Sequence, residues 1–156
     1  MLKEIKIEKI RNNIEYEVLN ESRFSKVTNK LITKDEYNNM KEGTKLHYLF
    51  ETEDFKTSSN PYILNFIKHI DLNYINCFKE YEFIYEQENE VKHGFIDLML
   101  EYDNHIDIID YKMKNITDEN YLKQLNGYKE YIESITKKNV EIYLYSILDD
   151  NLQKLN

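Results

Sequence analysis

Residues 94–112 read GFIDLMLEYDNHIDIIDYK. Two apolar runs, 95–101 and 106–112, flank the polar tetrad Tyr102-Asp103-Asn104-His105, which predicts two antiparallel strands joined by a tight turn. Side chains alternate faces along a strand, so Ile106, Ile108, Asp110 and Lys112 share one face while Ile109 and Tyr111 take the other. Both faces of this strand therefore read as buried, yet an aspartate and a lysine close one of them. Asp97 is likewise set between apolar neighbours. Desolvating a lone carboxylate is costly unless something pairs with it. A divalent cation shared by Asp97 and Asp110 would meet that cost. So would a structural ion pair between Asp110 and Lys112, with Asp97 accepting backbone hydrogen bonds. On the strands alone the two readings stand level.

Working outward, Tyr81, Phe83 and Tyr85 alternate with Glu82, Ile84 and Glu86, adding a strand upstream and making the centre a β-meander. Before it, Thr33 can cap a helix over residues 34–51, with Glu36 completing a capping box. Gly43 weakens that helix or breaks it before 44–51 resumes. Asn60-Pro61 opens a short helix carrying Ile63, Leu64, Phe66 and Ile67. Downstream, Asp118 caps a helix to about Ser134, with Leu122, Leu125, Tyr128, Ile132 and Ile135 as its apolar stripe. Residues 140–148 are strongly apolar, as a strand inside a sheet is. The expected fold is α/β: a central mixed sheet of about four strands flanked by helices, in the order α-β-β-β-α-β.

A chain of 156 residues suits one domain. Residues 34–148 would form its core. Residues 1–33, where Ile5, Ile7, Ile10 and Ile14 fit either a short helix or a frayed strand, would be an N-terminal extension. Hydrophobic residues at 41% supply a core, and charged residues at 32% solvate the surface. No apolar run approaches the ~20 residues that cross a bilayer, and the opening MLKEIKIEKIRNN lacks the apolar block of a signal peptide. A cytoplasmic protein without membrane contact is the expectation. The single cysteine, Cys77, excludes an internal disulfide, a Cys-based zinc site and an iron–sulfur cluster within this chain. The absence of alanine and the abundance of Asn, Ile, Lys and Tyr reflect codon usage in an AT-rich genome. The net charge of -8 opposes phosphate contacts but suits divalent metals. A basic partner would supply what a nucleic-acid footprint needs.

Two helical features complete the pattern. His47 follows Gly43 by four residues, and Gln124 and Tyr128 are four apart on one helix face. Singly, these are residues that any helix carries. Together the motifs G-x-x-x-H, G-x-x-D, D-x-K and Q-x-x-x-Y occur in order, in GTKLHYLFE, HGFIDLML, IIDYKMK and YLKQLNGY. That ordered set, from about residue 41 to 148, resembles the C-terminal nuclease domain of RecB- and AddA-type helicase–nucleases, within the PD-(D/E)xK superfamily. Glu80-Tyr81-Glu82-Phe83 also resembles the acidic strand that precedes G-x-x-D in those domains.

The resemblance implies a restriction-endonuclease-like core and a DNA nuclease using Mg²⁺ or Mn²⁺. Such an enzyme would act in repair, recombination or the processing of DNA ends, alongside a helicase or another basic subunit. It implies His47, Asp97 and Asp110 as metal ligands, with the Tyr111 carbonyl as a further one. Lys112 would stabilise the transition state or orient water. Gln124 and Tyr128 would hold the phosphate or the helix, completing a catalytic set with Asp97, Asp110 and Lys112. Glu80 would either add a carboxylate near the metal or face solvent. Two departures stand out. Met113 occupies the position after D-Y-K where Thr or Ser is common, and no GxxxxGK[ST] motif is present, so any helicase activity must come from elsewhere. Two alternatives remain: an inactive nuclease fold serving as a DNA-binding or scaffolding module, and an interaction protein of phage or mobile-element origin sharing the fold.

Overall fold

The meander around residue 102 forms the middle of a mixed sheet. Its strands are β1 (Asn76–Gln87), β2 (Glu90–Glu101), β3 (His105–Lys112), β4 (Asn139–Ser146) and β5 (Asn151–Leu155), hydrogen-bonded in that order. The computed structural model describes residues 33–87, 89–114 and 119–155. The expectations for Ile5, Ile7, Ile10 and Ile14, for the Glu36 side chain and for the Asp118 cap lie outside the described residues. All elements named here belong to Lys34–Asn156.

Neighbouring strands run antiparallel except β3 and β4, which are parallel from His105↔Asn139 to Lys112↔Ser146. Parallel neighbours need a crossover, and α3 (Glu119–Thr136) supplies it. β4 lies between β3 and β5, so the interior position expected from its apolar sequence is observed.

Each sheet face carries its own core. On one side α1 (Lys34–Thr52) and α2 (Pro61–Phe66) bring Leu46, Phe50, Ile63 and Phe66 onto Leu98, Leu100, Ile109, Tyr111 and Tyr145. Phe50 and Phe66 are fully buried with ring centroids 5.4 Å apart, and truncating such a ring to alanine costs about 3–5 kcal/mol. On the other side α3 lays Leu125, Tyr128 and Ile132 on Ile96, Met99, Ile106, Ile108, Val140 and Ile142. α2 starts as its sequence predicts: the Asn60 side chain accepts the Tyr62 N–H at 2.9 Å, and Pro61 takes the first helical position.

Three expectations are corrected. The described sheet has five strands rather than about four. β5, NLQKL, is a short edge strand exposed along most of its length, so it lacks the apolar alternation that would announce it. Gly43 does not break α1, which is continuous. A Cβ there would come 3.0 Å from Met113 Sδ, so the glycine admits that side chain against the helix. Ile135, expected in the buried stripe of α3, is 53% exposed one residue before the helix end. No helix of the described residues is long and apolar enough to cross a membrane.

Candidate metal centre

The site begins where β2 and β3 part. Their pairing runs from Glu101↔Ile106 to Leu98↔Ile109 and stops. At the next position the Asp97 side chain takes over, its Oδ2 accepting the Tyr111 N–H at 2.9 Å. A backbone donor that a further rung would have used is thus given to a carboxylate that is only 7% exposed.

Glu80 stands opposite Asp97 across the hairpin, between the pairs Lys79↔Leu98 and Tyr81↔Ile96. Its φ is 49°, in the left-handed region that non-glycine residues seldom occupy. The hairpin exchanges faces at this level. Cys77 and Leu98 belong to the α1/α2 side, whereas Tyr81, Phe83, Tyr85 and Ile96 pack toward α3. A backbone conformation costing on the order of 1 kcal/mol is therefore built in beside the buried carboxylate.

His47 arrives from α1, flanked by the buried Leu46 and by Phe50 one turn on. Its Nδ1 lies 3.8 Å from Asp97 Oδ2, and its ring meets Tyr111 edge-on at 5.9 Å. Ligand atoms of His47, Glu80 and Asp97 all fall within 4.8 Å of one another. Bonds to Mg²⁺ or Mn²⁺ run at roughly 2.1 Å, so small side-chain adjustments would let one cation reach all three. Burial pushes the Asp97 carboxyl above its ordinary range. His47, the Tyr111 N–H and Lys112 pull it back, while Glu80 adds to the rise. One imidazole and two carboxylates, one of them buried and short of positive charge, fit a hard or borderline divalent cation.

Asp110 and Lys112 lie on the opposite face of β3, toward α3. Asp110 Oδ2 is 3.2 Å from Lys112 Nζ, with the side chains 13% and 34% exposed. Asp110 is not in the His47–Glu80–Asp97 group. The two aspartates expected to share a cation are thus placed with different neighbours, linked through the Tyr111 N–H and the Lys112 charge that acts on Asp97. Tyr111 itself buries its ring against Phe50, with centroids 4.5 Å apart.

Gln124 and Tyr128 are brought together but not to the ligands. Gln124 Nε2 donates to Tyr128 Oη, which also accepts the Phe95 N–H at 3.4 Å. They tie α3 to β2 two residues before Asp97. Gly94, the glycine of G-x-x-D, lies under the Phe83 ring, where a Cβ would come 2.4 Å from Phe83 Cζ. Phe83 in turn stacks on Tyr131 at 5.0 Å. Glycine is needed there for close packing that holds the hairpin against α3. Glu80 is the member of this cluster whose role sequence alone left undecided. Its signal is the hairpin register, which places it opposite Asp97 once the turn at Asn89 is known.

No family model matches the chain. In an alignment 74 residues long that covers 41% of the chain, it is 35% identical to the A subunit of the ATP-dependent helicase/nuclease of Clostridioides difficile (strain 630). In an alignment 70 residues long that covers 40% of the chain, it is 39% identical to the protein of the same name from Clostridium acetobutylicum. The chain spans 6% of the length of each. It is a distant homologue of helicase–nuclease proteins of this type, and its clustered His47, Glu80 and Asp97 are compatible with a metal-binding nuclease site.

Proposed function

We propose that this chain is a divalent-metal-dependent nuclease that hydrolyses phosphodiester bonds in DNA, with residues 34–148 as its nuclease core. The observation that carries the proposal is the convergence of His47, Glu80 and buried Asp97 beside an aspartate–lysine pair. His47, Glu80 and Asp97 would hold Mg²⁺ or Mn²⁺, with the Tyr111 carbonyl as a further ligand; Asp110, which stands apart from that cluster with Lys112, would join them only by turning away from that lysine. The cation would neutralise charge at the scissile phosphate and lower the pKa of an attacking water.

The chain's own groups do the rest. The Tyr111 N–H fixes the Asp97 carboxylate, so its second oxygen remains for a ligand. Lys112, held by Asp110, donates its ammonium protons to the phosphoryl oxygens as their charge grows. Tyr128, with Gln124, ties α3 to β2 next to Asp97. The acidic balance of 29 Asp and Glu against 21 Lys and Arg disfavours tight DNA binding by the chain alone. A helicase or another basic subunit would deliver the strand.

The test is incubation of linear and circular DNA with Mg²⁺, with Mn²⁺ and with EDTA. Cleavage with either metal and none in EDTA is the expected result. Intact DNA under every condition, from a chain whose melting temperature does rise with Mn²⁺, would leave a metal-binding protein and remove the nuclease.

A further inference from the structure

We propose that Tyr121, which belongs to none of the motifs above, is the positioning residue for Lys112. The inference rests on the nuclease reading and extends it. Lys112 Nζ lies 3.2 Å from Asp110 Oδ2 and 4.1 Å from the centroid of the Tyr121 ring. A lysine is a point charge on a flexible four-carbon stem. With 34% of its side chain exposed, an ion pair alone holds it weakly. The ring face closes a second side, because a cation over an aromatic ring is drawn to its negative face.

Tyr121 is itself fixed. It lies in the first turn of α3 and packs against the core beneath that helix. Two turns on, Tyr128 Oη accepts the Phe95 N–H and ties the helix to β2. Among the described residues the buried Tyr121 hydroxyl finds no hydrogen-bond partner. A phenol kept for its hydroxyl would have one, since leaving such a group unpaired costs about 1–3 kcal/mol. What Tyr121 contributes is therefore its ring face. The ring confines the Lys112 ammonium beside Asp110, where it is ready for the phosphoryl oxygens.

The experiment uses the full chain with Mn²⁺ and end-labelled linear DNA. Tyr121→Leu and Tyr121→Met fill the space without a π face, and Tyr121→Phe keeps the face without the hydroxyl. We expect Leu and Met to lower kcat roughly tenfold, with KM within about twofold, and Phe to retain wild-type kcat. In a Lys112→Ala background, Tyr121→Leu should cost nothing more, because its effect passes through the lysine. A second readout needs no cleavage: acylation by a small amine-reactive ester, mapped by mass spectrometry with exposed Lys123 as reference. Lys112 should react several times faster in Tyr121→Leu than in wild type or Tyr121→Phe. Additive losses in the double variant, or Phe as damaging as Leu, would overturn the proposal. A wild type that cuts no DNA overturns the nuclease reading instead, and Lys112 labelling then decides: equal reactivity in wild type and Tyr121→Leu sinks the role of Tyr121.

Discussion

Asp97 and Glu101 sit four residues apart on β2 and live under opposite conditions. Glu101 receives Lys138 Nζ at 2.7 Å on one oxygen and Asn76 Nδ2 at 2.8 Å on the other, and these hydrogen bonds hold its carboxyl below the ordinary range. Asp97 is pushed the other way by burial. The His47 ring stands 3.8 Å off, and Glu80 adds to the rise. Glu101 is completed by its own chain, closing the sheet where β2 turns into β3. Asp97 takes one backbone hydrogen bond, from the Tyr111 N–H, and lies in a cluster compatible with a metal ion. The same residue chemistry on one strand serves structure in one case and is compatible with a metal site in the other, and the difference lies in which groups the fold brings near.

The largest test of that contrast is cleavage. Asp97→Asn and Asp110→Asn should lower metal-dependent cleavage by a hundredfold or more, on the scale of removing transition-state charge stabilisation. Glu101→Gln should stay within about twofold of wild type. Gel-resolved rates on labelled DNA would read all three. A Glu101→Gln variant that falls as far as Asp97→Asn would erase the distinction. Lys112→Ala should lose cleavage to a similar degree yet keep its metal response, which separates charge at the phosphate from the ligand set.

Next in size is stabilisation by metal. At about a hundred times its dissociation constant, Mn²⁺ should add roughly 2.7 kcal/mol to unfolding free energy. Thermal melts should show that gain in wild type and Glu101→Gln, and lose it in Asp97→Asn and Glu80→Gln. A gain that survives Glu80→Gln would remove Glu80 from the ligand set.

Without metal the signs should reverse. Asp97→Asn relieves a buried charge next to a like charge and should leave the apo chain as stable as wild type or more so. Glu101→Gln breaks a charged pair and should cost about 0.5–1 kcal/mol, measured by urea unfolding in EDTA.

A further contrast is in pH dependence. Asp107, on β3, is pushed up to about 6 from an ordinary 3.8, by burial first and by Glu141 beside it, against His105 and Lys154. Its folded pKa is raised, so its contribution is present below the unfolded value and is lost as pH rises through about 6. Glu101 is depressed, so its contribution is present above 4.5 and is lost as pH falls through its folded value. Melting temperatures of the apo chain should accordingly decline between about pH 4 and 6 on account of Asp107, in addition to the decline that the raised Asp97 carboxyl brings. That decline should flatten in Asp107→Asn and persist in Glu101→Gln. A slope untouched by Asp107→Asn would assign the decline to another group.

What the sequence determined by itself is local. Alternation over residues 81–86 and 95–112, the Asn60-Pro61 helix start and the apolar run of β4 each depend on neighbours a few positions apart, where backbone geometry decides. The D-x-K spacing placed Asp110 and Lys112 on one face for the same reason, and Asp97 stood out because its neighbours are apolar. The clustering of His47, Glu80 and Asp97 could not be read that way. Glu80 faces Asp97 only through the register of a hairpin whose turn is several residues away. His47 reaches Asp97 only because α1 packs on the sheet through Leu46 and Phe50, and Tyr111 spends its N–H on Asp97 only because β2 and β3 part after Leu98. Tyr121 meets Lys112 only once α3 has docked. β5 carries too little apolar surface to show itself before β4 offers it a partner. These are contacts between elements far apart in the chain. Their energies come from packing and from register, which no short window of residues contains.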